Sequence, residues 1–167
     1  MNDEASARLK LPFIQPGQAQ KEVFHNEAMA LVDLALGASV VAMGLEVPPA
    51  SPAVGDCWIV GASPTGAWAG RAQALAGWTA GGWRFVEATE GLAAWHGGTG
   101  QLVRFVGGRW TTGVLSGEGV EVEGVQVIGQ RGKAIADPVG GAIVDVQARA
   151  AIGAVLAALR THGLIAS

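Results

Sequence analysis

Four tryptophans, Trp78, Trp83, Trp95 and Trp110, carry the chemistry with the widest reach in this chain. Flat indole faces stack on sugar rings and tolerate a wet setting, so these residues are candidate carbohydrate-binding positions. The same rings could instead fill a small sheet that is poor in Leu and Ile. Arg71, Arg84, Arg104 and Arg109 are interleaved with them and suit ring stacking or acidic sugars, or simply a solvated face. Catalytic constellations are harder to assemble. His25, Asn26 and Glu27 adjoin one another on a helix, but spacing suggests no second His or Cys to complete a metal site. Glu87 with Glu90, or Glu118 with Glu121 and Glu123, imitate a glycosidase pair and read better as turn and strand-face carboxylates. Cys57, the only cysteine, sits beside Trp58 and Ile59 and is expected to be a buried thiol. Phosphate loops, zinc spacings and nucleophile elbows do not occur, so no catalytic residue, metal site or cofactor is expected.

The elements that must position these residues follow from glycine and periodicity. The chain has 167 residues, half of them apolar, and 26 glycines, which favours short strands joined by tight turns. Residues 1–10 form a polar arm without periodicity, expected to be mobile or ordered by a partner. A Pro16-Gly17 step opens a helix from Gln18 to Leu36 with Ala19, Val23, Phe24, Ala28 and Leu31 as its expected buried positions. Pro48, Pro49 and Pro52 enforce an extended linker. Residues 54–115 read as an antiparallel β meander with strands at 57–60, 77–79, 83–87, 93–96, 102–106 and 109–111. Residues 65–76 are ambiguous between a short helix and a loop. Gly81-Gly82, Gly97-Gly98 and Gly107-Gly108 supply hairpin turns. A weak repeat places Trp78 and Trp83, then Phe105 and Trp110, around a Gly pair, so each pair should meet across a hairpin. Val120, Val122 and 125–128 predict a strand pair exposed on one side. Asp145 caps a final helix, 146–162, closed by Gly163, with an Asp145–Arg149 pair in its first turn.

The final helix carries Ala148, Ile152, Val155 and Leu159 at alternating four and three spacings, with Leu156 widening the stripe. These five positions are the candidate oligomer interface, and the β-branched Val155 tolerates a trimer better than a dimer. An amphipathic helix lying on its own domain is the plainer alternative. The expected fold class is thus α+β: an N-terminal helix, a central Gly/Trp-rich antiparallel meander and a C-terminal helix forming a short oligomeric bundle. The corresponding parts are an anchoring arm and helix (1–46), a β-rich module (47–115), a strand and turn connector (116–142) and an oligomerisation helix (143–167). A net charge of −3 with interspersed signs gives no footprint for nucleic acid. The polar start predicts synthesis in the cytoplasm without a signal peptide, and no apolar run predicts membrane insertion.

The stretch Leu11-Pro12-Phe13-Ile14-Gln15-Pro16-Gly17-Gln18-Ala19-Gln20-Lys21-Glu22-Val23-Phe24-His25-Asn26-Glu27-Ala28 is too particular to be generic. Together with Asp56-Cys57-Trp58-Ile59-Val60-Gly61, Gly66-Ala67-Trp68-Ala69-Gly70 and Gly82-Trp83-Arg84-Phe85, it resembles a domain family of unknown function found in tailed phages, prophages and gene transfer agents of alphaproteobacteria. The tail, with Asp145, then 148–152, 156–160 and 162–165, is also similar to tails in phage proteins of this kind. The resemblance spans roughly residues 8 to 115. It implies a non-enzymatic virion component, a head spike or a head or tail fibre that attaches to the host cell surface. Implied partners are further copies of the chain, as a trimer or as a pentamer at a capsid vertex, and other virion proteins such as capsid or fibre subunits. Cell-surface polysaccharide is a further candidate. The alternative is a carbohydrate-binding adhesin module that is itself the receptor-binding protein.

Overall fold

A computed structural model describes residues 5–15, 17, 21–141 and 145–166. The chain is α+β with a β-rich core and divides into two units, Met1–Val114 and Leu115–Ser167. Among the described residues no helix is long and apolar enough to cross a membrane.

The first unit is built on an internal duplication. Helix α1 (Lys21–Ala35) leads into two short strands, β1 (Ala38–Val40) and β2 (Ala42–Leu45). Two antiparallel meanders follow: β3 (Cys57–Val60), β4 (Leu75–Thr79) and β5 (Gly82–Val86), then β6 (Ala93–His96), β7 (Gln101–Val106) and β8 (Arg109–Thr112). Strands β1 and β2 were not foreseen, and they change the topology. The expected single antiparallel meander is instead two mixed four-stranded sheets, β1-β6-β7-β8 and β2-β3-β4-β5, each with a parallel pairing at its first strand. The chain passes from one sheet to the other at Val41, whose N–H donates to the Cys57 carbonyl.

Register makes the duplication explicit. Ala38, Ala94, Val103 and Thr112 line up across the first sheet as Ala42, Trp58, Ala76 and Phe85 do across the second. The aromatic repeat lands where hairpin geometry requires: Trp78 opposes Trp83 and Phe105 opposes Trp110, with ring centroids 4.9 and 5.5 Å apart. At the β7–β8 turn both Gly107 and Gly108 take positive φ, a conformation a primed hairpin turn demands and glycine reaches without steric penalty.

The sheets stack in one direction. Ala38, Val40, Ala94 and Val103 from the first sheet meet Cys57, Ile59 and Leu75 from the second, and Leu34 of α1 closes this layer. Leu34 lies so close that a Cβ added at Gly77 would stand 2.7 Å from its Cδ1, so any side chain there would force Leu34 to shift. The other face of the second sheet holds Trp58, Val60 and Ala76, covered by Trp68 from a 3₁₀ turn at Gly66–Trp68. That turn resolves the ambiguity of residues 65–76. Cys57 is fully buried as expected; its Sγ lies 2.8 Å from the Ser39 carbonyl, and desolvation by burial pushes the thiol above its ordinary pKa.

Helix α1 contradicts its sequence reading. Val23, Phe24 and Ala28 are exposed, Phe24 at 79%, and Leu31 is half-buried; Ala19 lies outside the described residues. Asn26 and Asp33 point inward instead, because residues 6–14 supply their partners. The Asn26 side chain exchanges two hydrogen bonds with the backbone of Ile14. The buried Asp33 carboxylate accepts from Ser6 Oγ at 2.7 Å, from Arg8 N at 3.0 Å and from Leu9 N. Arg8 then donates to the carbonyls of Asp33, Leu34, Leu36 and Gly37, capping the C-terminal end of α1 with a positive charge. Thus the described part of the arm, expected to be mobile or held by a partner, is fastened to its own helix. Glu27, on the flank of α1, pairs with Arg84 of β5 at 2.5 Å.

The second unit holds a hairpin, β9 (Val120–Val122) and β10 (Val125–Ile128), and helix α2 (Val146–Thr161). The hairpin is exposed on both sides rather than one. Asp145 caps α2 by accepting from Ala148 N, and Gly163 takes positive φ after the helix end. The expected Asp145–Arg149 pair does not form. With its carboxylate committed to the cap, Asp145 leaves Arg149 to the carbonyls of Pro138 and Gly140. Arg160 likewise reaches Asp137 and the Ile135 carbonyl.

Candidate functional site

The four candidate tryptophans do not form one platform. Trp78 and Trp83 join Trp58 and Trp68 in a single cluster of edge-on and tilted rings, with centroids 4.9 to 6.3 Å apart. Trp58 and Trp68 were absent from the candidate set, although the apolar Cys57-Trp58-Ile59-Val60 run marks Trp58 as core. Strand alternation places Trp78 and Trp83 on the same side as Trp58, where each ring supplies apolar area and edge-to-face contact. Trp110 belongs to the first sheet; its Nε1 donates to the Gln73 carbonyl at 2.8 Å, which satisfies a half-buried polar group. Trp95 stands on β6, 49% exposed, and is the candidate whose ring is most open to solvent.

The arginines separate in the same way. Arg71 pairs with Glu87 at 2.8 Å and lies over the Phe85 ring, and Arg84 is held by Glu27. Arg104 and Arg109 make no ion pair among the described residues. Glu90 accepts from the Gly107 N–H and so braces a turn, while Glu118, Glu121 and Glu123 lie in or beside the exposed hairpin. His25 is exposed on α1.

A cleft of about 430 Å³ opens between the arm, α1 and the β4–β5 hairpin, lined by Ser6, Arg8, Lys10, Asp33, Asp56 and Thr79. Its charged groups already have partners. Arg8 and Asp33 form the arm contact, Lys10 donates to the Ala7 carbonyl, and Asp56 accepts from Ala53 N. The cleft is therefore the seam along which the arm lies on the body.

Both helices leave apolar side chains open. On α1, exposed Phe24, Ala28 and Val32 and half-buried Leu31 and Ala35 follow one another at helical spacing on the side away from Asn26 and Asp33. On α2, Ala148, Ile152 and Val155 of the proposed seam are exposed and Leu159 is half-buried. Leu156 is buried, on the same side of the helix as Arg149 and Arg160. Four of the five seam positions thus remain at least partly accessible in the single chain, and Leu156 serves the inner face.

No curated protein and no solved structure matches the chain. A family model does match residues 25–111, from His25 in α1 to Thr111 in β8, and by that match the chain belongs to the family described as protein of unknown function (DUF2793).

Proposed function

We propose that the chain is a non-enzymatic structural component of a phage or gene transfer agent particle, a head spike, head fibre or tail fibre that takes part in attachment to the host cell surface. One observation carries this reading: both helices direct polar groups to their own unit and leave apolar residues facing outward. Exposed apolar stripes of this kind are the signature of surfaces that other protein covers. In this account α1 joins the chain to a neighbouring capsid or fibre subunit, and the α2 seam brings copies together as a trimer, or as a pentamer at a capsid vertex. The resemblance of residues 8 to 115 and of the tail to virion proteins agrees with that division of labour.

Deleting the gene tests the reading. Particles should assemble and package DNA yet attach poorly to cells; failure to form filled heads would place the chain in the core of the particle instead. The seam has its own test, because Ile152 and Val155 are exposed in the single chain and their replacement should not disturb its fold. Ile152→Asp with Val155→Asp would bring carboxylates into a dry interface at strong cost. Light scattering should then show the wild-type oligomer reduced to single chains. An unchanged mass in the double variant, or a wild type that is already monomeric, contradicts the seam.

A further inference from the structure

The first sheet has one open face. Alternation turns Ala38, Val40, Ala94, Val103 and Trp110 toward the core and so puts Trp95, Leu102, Arg104, Arg109 and Thr111 on the other side. In the duplicated second sheet the matching face carries Ile59, Leu75, Gly77 and Val86, and it is core, packed beneath Leu34 and the first sheet. One structural plan therefore supports a buried apolar face in one copy and an open face with an indole and two guanidinium groups in the other.

Three features distinguish this face from an ordinary solvated surface. Trp95 stands on an interior strand, between Ser39 of β1 and Leu102 of β7, and its ring reaches toward Gly100 in the β6–β7 turn. Among the described residues the other five tryptophans each stand in an aromatic pair, and Trp95 does not. Arg104 opposes Ala93 and is thereby diagonal to Trp95, roughly 7–8 Å away along the face; Arg109 follows on β8, opposite Val106. Elsewhere Arg71, Arg84 and Arg160 are ion-paired, while Arg8, Arg131 and Arg149 cap carbonyls. The positions that the register assigns to this face include no acidic residue.

We infer that the open face of the first sheet binds an anionic polysaccharide, with a sugar ring on Trp95 and the glycan's carboxylates on Arg104 and Arg109. A planar aromatic gives a sugar-shaped apolar contact, and the fork of a guanidinium matches a carboxylate in two parallel hydrogen bonds. The inference deepens the attachment role proposed above, on which it rests for the source of the glycan.

The test is a titration of the full-length protein with a uronic acid oligosaccharide prepared from alginate, followed by calorimetry, with a neutral glucan oligosaccharide in parallel. The alginate fragment should bind, more weakly as salt rises, and the neutral glucan should bind less tightly. Trp95→Ala and Arg104→Gln should each weaken binding by about tenfold, with thermal unfolding little changed because both side chains are partly exposed. No binding of the alginate fragment, equal binding of the neutral glucan, or unaltered affinity in both variants overturns the platform. Particle fractionation separates this from the reading beneath it. Loss of glycan binding with the protein still on particles rejects the platform alone; glycan binding by a protein absent from particles rejects the particle location alone.

Discussion

Trp68→Ala is expected to destabilise the first unit by about 3 to 5 kcal/mol, the range for removing a fully buried aromatic side chain that neighbours cannot refill. Trp68 is 0% exposed and sits 5.1 Å from Trp83 and 6.3 Å from Trp58, centroid to centroid. It arrives from a 3₁₀ turn outside the sheet, so its loss removes the cover of Trp58, Val60 and Ala76 at once. An effect of this size is a large share of the stability of an ordinary domain. Urea unfolding followed by near-ultraviolet circular dichroism reads it directly, since the coupled indoles dominate that signal. A loss under about 1 kcal/mol would mean that the four-tryptophan cluster is not the structural core of the second sheet.

Asp33→Ala is expected to cost about 3 kcal/mol, because it removes the acceptor of three hydrogen bonds in a site where Asp33 is only 5% exposed. Ser6 Oγ and the backbone N–H groups of Arg8 and Leu9 lose their partner together, and the arm is expected to come away from α1. Arg8 would lose its alignment on the last carbonyls of the helix, so the helix end should fray as well. Asp33→Asn keeps the volume and one acceptor oxygen, and should fall between the wild type and alanine. Limited proteolysis checks the structural half of this expectation: residues 5–14 should become rapidly cleaved in the alanine variant. A fully protected arm in that variant would show that Asn26 and Arg8 suffice to hold it.

Parts of this fold were legible because their signals are local. Two aromatics around a glycine pair specified the hairpins Trp78–Trp83 and Phe105–Trp110, and Asp145 specified the start of α2. Strands β1 and β2 were not legible. Ala38–Leu45 alternates buried and exposed residues only as far as Val40, then switches to a different sheet, and its parallel partners lie far along the chain. The face of α1 misled for a different reason. Apolar periodicity identified a stripe correctly, but not the direction it faces, because the inward side is decided by hydrogen bonds from residues 6–14 to Asn26 and Asp33 that carry no periodicity. For the candidate site the sequence offered four tryptophans alike; only the register distinguishes Trp95, open on the first sheet, from Trp78 and Trp83, packed in the second. Arg104 and Arg109 emerge as a pair with Trp95 by the same route, through pairings no spacing reveals.

The central claim is that this chain belongs to the outside of a particle. The most direct test is antibody labelling of density-gradient-purified, DNA-filled particles in the electron microscope. The account predicts that the protein co-sediments with filled particles and that label sits on spikes or fibres. Protein recovered only in the soluble fraction, with unlabelled particles, would contradict it.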